Sequence, residues 1–161
     1  MSFQPLGLSE PLLRAVQAAG YETPTEIQAL AIPPVLAGSD VLGRAKTGSG
    51  KTAAFVLPIL DRLEQSGSLN QLQGRARRGK VRALILAPTR ELAQQINESA
   101  RKYGRFLQMR FDAHYGGVSI EPQIDRMRHG MDILAATPGR LLDHLVRGSV
   151  DLSICEVLIV D

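Results

Sequence analysis

Apolar positions along the chain come in two spacings, and the two alternate. Residues 81–87 (VRALILA) and 156–160 (EVLIV) are short, branched and nearly unbroken apolar runs, the pattern of strands covered on both faces. Residues 41–45, 110–114 and 132–136 are weaker runs of the same kind. Elsewhere the apolar residues recur at helical spacing: Leu12, Leu13, Val16 and Ala19; Ile27, Leu30 and Ala31; Val56, Leu57, Leu60 and Leu63; Leu92, Ala93 and Ile96; Ile120, Ile124 and Met127; Leu141, Leu142 and Leu145. Ser9 stands where the first helix needs an N-cap, and Gly20 lies just past its end. Strands alternating with helices predict an α/β fold, a doubly wound and mostly parallel sheet with helices on both faces. Residues 65–80 (QSGSLNQLQGRARRGK) carry no sustained apolar period and are expected to form a long loop.

Composition narrows the class. The 161 residues match one domain, are 44% hydrophobic and 22% charged, and so read as an ordinary globular chain. With 4% aromatics and no Trp, the core must be aliphatic. No apolar run approaches the roughly 18 residues a membrane span needs. The opening MSFQPLGLSE has neither the basic nor the apolar region of a signal peptide, so a cytoplasmic protein without a membrane partner is expected. Cys155, alone in an apolar stretch, reads as a buried reduced thiol. His114, His129 and His144 are scattered, match no metal spacing and are expected to be structural or superficial. The net charge is +3, but Arg75, Arg77, Arg78 and Lys80 lie within six residues, and subtracting them leaves −1. One basic segment is weak evidence for nucleic acid.

The chemistry lies in a short loop. Ala45-Lys46-Thr47-Gly48-Ser49-Gly50-Lys51-Thr52 follows the first predicted strand and opens a helix. It is the phosphate-loop pattern with Ala in place of its first Gly. Thr47, Gly48, Ser49 and Gly50 form a turn whose backbone N–H groups can wrap phosphate oxygens, helped by the positive end of the helix dipole. Lys51 is expected to reach the β- and γ-phosphates, and Thr52 to ligate Mg²⁺. Such a site needs a second acidic group after a neighbouring apolar strand, and Asp161 follows the run 156–160. The phosphate loop, Pro88-Thr89-Arg90-Glu91, Thr137-Pro138-Gly139-Arg140 and Asp161 each come directly after a predicted strand. In a parallel sheet they belong to the carboxyl edge, where α/β proteins bind ligands. The basic segment precedes a strand and belongs to the opposite edge.

Taken together, the motifs resemble those of the DEAD-box RNA helicases, from Phe3 to Asp161 in order. The string 20–28 (GYETPTEIQ) resembles the family's Q motif, with Phe3 as its upstream aromatic. Residues 45–52 resemble motif I, Pro88-Thr89-Arg90-Glu91-Leu92 motif Ia, Gly116-Gly117 the GG motif, and Thr137-Pro138-Gly139-Arg140 motif Ib. Asp161 resembles the first Asp of the DEAD box. The opening is most similar to the bacterial RhlE-type branch. Lys46 and Glu26 depart from the family's frequent Gln and Pro, at positions that cradling a phosphate does not require.

The resemblance implies an N-terminal RecA-like domain and assigns roles. ATP and Mg²⁺ would be held by Phe3, Tyr21, Thr23, Gln28 and residues 47–52, with Lys51 and Asp161 catalytic and Thr52 and Asp161 on the metal. Gln28 would bond the adenine edge; on residues alone, Thr25-x-x-Gln28 reads rather as a capping box, and both can hold in different nucleotide states. Phe3 and Tyr21 have two readings, packing on the base or packing in the core. RNA would meet Pro88, Thr89, Arg90, Gly116, Gly117, Thr137, Pro138, Gly139 and Arg140 through its backbone, without base reading. Arg90 has an ion pair as its alternative, and Thr137-Pro138 a helix start.

The resemblance further implies a domain that is partial at Asp161, with the Glu that should act as general base and a second RecA-like domain lying beyond. As it stands the chain is expected to bind adenine nucleotide but not to unwind RNA. A nucleotide-dependent switch or adaptor is the alternative. In related ATPases another strand lies between the phosphate-loop strand and the strand ending at Asp161. Filling that place is expected to need further chain, direct pairing of residues 41–45 with 156–160, or self-association through the incomplete sheet.

Overall fold

The computed structural model describes residues 2–67 and 69–161. They form two compact units. One takes in the chain through Ser66 together with Ser99–Gln108; the other comprises Gly67–Glu98 and Met109–Asp161.

The first unit is helical. Helices α1 (Glu10–Ala18), α2 (Glu26–Leu36) and α3 (Lys51–Gln65) carry the periodic residues the sequence marks, and Leu12, Ile32, Val56, Leu57, Leu60 and Leu63 are buried. Ser9 occupies the N-cap position of α1, but its hydroxyl donates to Glu64 (3.0 Å) and its N–H to Asp61 (2.6 Å). The expected cap is thus a tie to α3.

The second unit is a four-stranded parallel sheet in the order β2-β3-β1-β4. Its strands are β1 (Val81–Leu86), β2 (Phe111–His114), β3 (Met131–Ala136) and β4 (Val157–Val160), joined through α4 (Arg90–Tyr103), α5 (Glu121–Met127) and α6 (Pro138–Arg147). Every residue of β3 and nearly every residue of β1 is buried, as unbroken apolar runs require. Leu84, Met127, Met131, Leu134, Leu141 and Val150 form one apolar cluster, with Cys155 half-buried against it.

One predicted strand is absent. Residues 41–45 form no regular element, and Leu42 is fully exposed. The run offers two apolar residues before Gly43 and Arg44. A strand is stable only when a neighbour satisfies its backbone, and no described strand pairs with this one. Among the described residues, 41–45 join no sheet, so the expected pairing with 156–160 is not seen, and β4 is an edge strand beside β1. The described residues of 65–80 are irregular as expected, apart from single 3₁₀ turns at Leu69–Gln71 and Gly74–Arg77 and the end of α3. Leu69 anchors the segment in the interior. A Cβ on Gly130 (φ +70°) would come within 2.7 Å of the Arg77 carbonyl, which is why this turn uses Gly. Lys80 pairs with Asp151 (2.6 Å) at the amino end of the sheet, where the basic segment was expected.

The sheet also buries charge. Arg82 on β1 meets Asp132 on β3 at 3.0 Å, both nearly inaccessible, and the second Asp132 oxygen accepts the Arg110 N–H (2.8 Å). Removing one partner of such a pair leaves the other desolvated. Asp132→Ala is expected to cost about 3–5 kcal/mol in urea unfolding, and Arg82→Met with Asp132→Leu much less than that. Equal losses in the single and double variants would contradict this account.

Candidate functional site

The first unit holds the phosphate loop. The Lys46 carbonyl accepts the Ser49 N–H (3.2 Å), closing a turn in which Gly48 and Gly50 have φ of +80° and +82°. Gly50 is the N-cap of α3, so Lys51 and Thr52 open the helix at the positive end of its dipole. Space beside Gly48 is open, and the buried Ser49 Oγ has no hydrogen-bond partner among the described residues. A loop with an open glycine, an unsatisfied buried hydroxyl and a helix N-terminus fits a phosphate chain.

Gln28 joins this loop directly. Its Oε1 accepts the Thr25 N–H (3.0 Å), completing the capping box of α2, and its Nε2 donates to the Gly50 carbonyl (3.1 Å). Both amide ends are therefore engaged without a ligand. A Cβ on Gly50 would run into this amide, so the loop needs glycine there for space as well as for φ. Phe3 is buried in the core, while Tyr21 is 46% exposed, with the Lys102 ammonium 4.9 Å over its ring. Thr23 is exposed.

In the second unit, the carboxyl ends of the strands line up. Leu86 is in register with Ala136 and Val160, and Ala136 with His114. Pro88-Thr89-Arg90, Tyr115-Gly116-Gly117, Thr137-Pro138-Gly139 and Asp161 therefore leave one edge side by side. Thr89 caps α4 through its hydroxyl, which accepts the Leu92 N–H (3.2 Å). Thr137 is the N-cap of α6 and Pro138 its first residue, so the helix-start reading of that motif holds.

The loop after β2 is braced from three helices. Arg90 stacks over the Tyr115 ring (4.6 Å), in place of the ion pair considered for it, and Gln94 donates to the Tyr115 hydroxyl (3.0 Å). From α5, Gln123 donates to the Tyr115 carbonyl (3.2 Å). From α6, Arg140 donates to Gln123 Oε1 (3.0 Å) and to the Val118 carbonyl (2.8 Å). Arg140 is buried, so its guanidinium shapes the loop from beneath, whereas Gly116, Gly117, Pro138, Gly139, Pro88 and Thr89 are exposed.

A sequence model of the DEAD/DEAH box helicases matches residues 25–161. The chain belongs to the DEAD/DEAH box helicase family. It is 42% identical to the ATP-dependent RNA helicase DeaD of Mycobacterium tuberculosis and 45% identical to that of Escherichia coli K12, with 99% of this chain aligned in each case. It spans about a quarter of the length of these relatives, 27% and 24%. Among solved structures it resembles the RNA helicase Prp28 of Chaetomium thermophilum bound to ADP, with a TM-score of 0.86 and 42% identity over 99% of this chain and 38% of that one. An RNA helicase of Sulfolobus tokodaii described as hypothetical gives 0.81 and 38%, over 96% and 41%. The expected RecA-like α/β fold is thereby established.

Sequence reasoning missed the polar interior beneath the edge. His114 and His144 are thirty residues apart, yet their rings meet at 3.0 Å (Nδ1 to Nε2) with no solvent exposure. His114 Nε2 faces Asp112 (2.9 Å), which also accepts from Arg126 (2.5 Å), and His144 Nδ1 faces the Ser149 hydroxyl (2.7 Å). No spacing rule links these positions; only the β2–α6 approach does. Tyr115, Gln94 and Gln123 were invisible for the same reason.

Two of these groups have shifted titrations. Burial lowers His144 to about 4, aided by the nearby charges of His114 and Arg140. Burial alone would raise Asp112, but hydrogen bonds from His114 and Arg126 outweigh it and hold the carboxyl at about 2. Both groups bind protons more readily when unfolded, so both make acid destabilising. The His144 contribution is complete above about 6.5 and disappears as pH falls through about 4; that of Asp112 disappears between about 4 and 2. Urea unfolding from pH 7 to 4 is expected to show a loss on the order of 2–3 kcal/mol that His144→Gln removes. An unchanged slope in the variant would refute the assignment.

Among the described residues, no group of three or more His, Cys, Asp and Glu side chains could hold a metal ion. No described helix is long and apolar enough to cross a membrane.

Proposed function

We propose that this chain is the ATP-binding, N-terminal RecA-like domain of an ATP-dependent RNA helicase, spanning residues 1–161 and completed by a second RecA-like domain. The observation that carries the reading is the bond from Gln28 to the phosphate loop. A neutral amide has one donor and one acceptor, the pattern that matches adenine N7 and N6. Held against Gly50, it stands where a base and its phosphates can be sensed together. On ligand entry the amide exchanges the Thr25 and Gly50 backbone groups for the adenine edge. The relatives' names and the ADP in the Prp28 structure support a nucleotide here.

Lys51 would meet the terminal phosphates, and the Ser49 hydroxyl would gain a partner. The Thr52 hydroxyl and Asp161 carboxylate are hard oxygen donors suited to Mg²⁺, assigned to it by motif position. The metal would neutralise developing charge on the phosphates. RNA would run along the edge formed by Thr89, Gly116, Gly117, Thr137, Pro138 and Gly139, its phosphates meeting bare backbone and the start of α6. Arg90 and Arg140 support that path by holding Tyr115 and Val118. Closure of two domains over ATP and RNA would bend one strand and melt a short duplex. The chain by itself would bind nucleotide without unwinding, in the cytoplasm. The free side of β4 is where a further strand or a second copy would pair.

Gln28→Glu separates the two roles of this residue. It keeps an oxygen acceptor for Thr25 and hence the capping box, but can donate neither to the Gly50 carbonyl nor to adenine N7. Stabilisation by ADP in a thermal-shift titration is expected to weaken about tenfold in apparent affinity, with preference over GDP lost. Equal stabilisation by ADP and GDP in the unaltered chain would support the switch or adaptor reading instead.

A further inference from the structure

We propose that His114 and His144 are positioning residues that join the Gly116-Gly117 loop to the start of α6, and that uptake of one proton reverses the hydrogen bonds of this joint and strengthens RNA binding. The consequence for RNA rests on the function proposed above; the geometry does not.

The contacts around the two rings fix the proton positions. Asp112 is held ionised by Arg126, so the His114 nitrogen facing it, Nε2, must carry hydrogen. In a neutral His114, Nδ1 is then an acceptor, and His144 must donate to it from Nε2. His144 Nδ1 is therefore the acceptor for the Ser149 hydroxyl. All donors point one way, from Ser149 through both rings to Asp112.

Now one proton is added to His114. Its Nδ1 becomes a donor, so His144 Nε2 must accept. The His144 proton moves to Nδ1 and donates to Ser149 Oγ. That hydroxyl turns to the His144 carbonyl, 3.2 Å away and already within reach. Every group is satisfied in this state as well, with His144 neutral throughout. The pair thus has two complete arrangements that differ by one proton and one tautomer, and a buried network is stable only when complete. The other charges facing it are Arg126 on α5 and Arg140, Asp143 and Arg147 on α6.

The joint lies directly under the edge that RNA would follow. The His114 carbonyl accepts the Thr137 N–H (3.1 Å), and Tyr115 comes next in the chain. His144 lies one helical turn after Arg140, which holds Val118. A positive charge arriving on His114 favours phosphate on the loop above it. By reciprocity, bound RNA favours the proton.

Imidazole ¹⁵N spectra of the chain followed across a pH titration test the joint, since the two tautomers of His144 differ in which ring nitrogen carries hydrogen. His144 is expected to exchange an Nε2–H for an Nδ1–H tautomer at the midpoint at which His114 gains its proton, with the Gly116 and Gly117 amides following. A single His144 tautomer throughout, or loop amides that ignore the transition, overturns the proposal without any variant. Fluorescence anisotropy with a labelled oligouridine of about ten nucleotides tests the consequence. Binding is expected to be about threefold or more tighter at the acid end, and His114→Gln to remove that difference. The same ratio in the variant overturns the proposed coupling. Absence of oligouridine binding at either pH instead overturns the RNA reading, and with it the consequence claimed here; the tautomer spectra still decide the joint.

Discussion

A parallel sheet ends all its strands in one direction, and that constraint organises the second unit. Leu86, Ala136, His114 and Val160 stand in one row. Whatever follows them in sequence emerges together, although residues 87 and 161 are far apart along the chain. The row is held by ladder hydrogen bonds and by side chains that have nowhere else to go, since β1 and β3 are buried on both faces. A one-residue slip would turn Leu84 and Leu134 out of their cluster and bring Arg82 and Asp132 out of alignment. Register is thus set by apolar burial and checked by one ion pair.

What was legible in the sequence follows from this. Runs 81–87 and 156–160 announce themselves by nearly unbroken apolar residues, although only the first proves buried on both faces and the edge strand β4 is half-exposed. Their order dictates which motifs share an edge, so the edge could be read without coordinates. Residues 41–45 failed because a run of two apolar residues says nothing about whether a partner strand is present. The polar brace failed for a different reason. Tyr115 with Arg90, or Arg140 with Val118, are contacts between elements, and no local pattern encodes them. His114 and His144 carry no signature because their meaning comes from each other.

Gln28 serves two backbone partners at once. The capping box uses its oxygen and the phosphate loop its nitrogen. An apolar residue at this buried position would leave the Thr25 N–H unpaired, and a charged one would be costly to bury. A neutral amide fits because each end finds a backbone partner in the empty site. In the proposed function, the same two ends would offer the adenine pattern without a change of residue or of charge.

The density of polar side chains under the β2–α5 loop needs a cause, because each must be fully paired to be tolerated. The loop itself supplies the cause. Gly116 and Gly117 expose backbone that can approach a phosphate closely, but glycine loses more conformational freedom on ordering than any other residue. A loop without side chains cannot hold itself. Its position must be imposed by carbonyls gripped from below, and the Arg140–Val118 and Gln123–Tyr115 bonds do so. Arginine suits the task because its fork spans two acceptors at once and stays charged at every relevant pH. The ring pair one turn further along α6 extends the same support to the strand from which the loop departs. A bare backbone left open to a phosphate and a costly buried network beneath it would therefore be two halves of one solution.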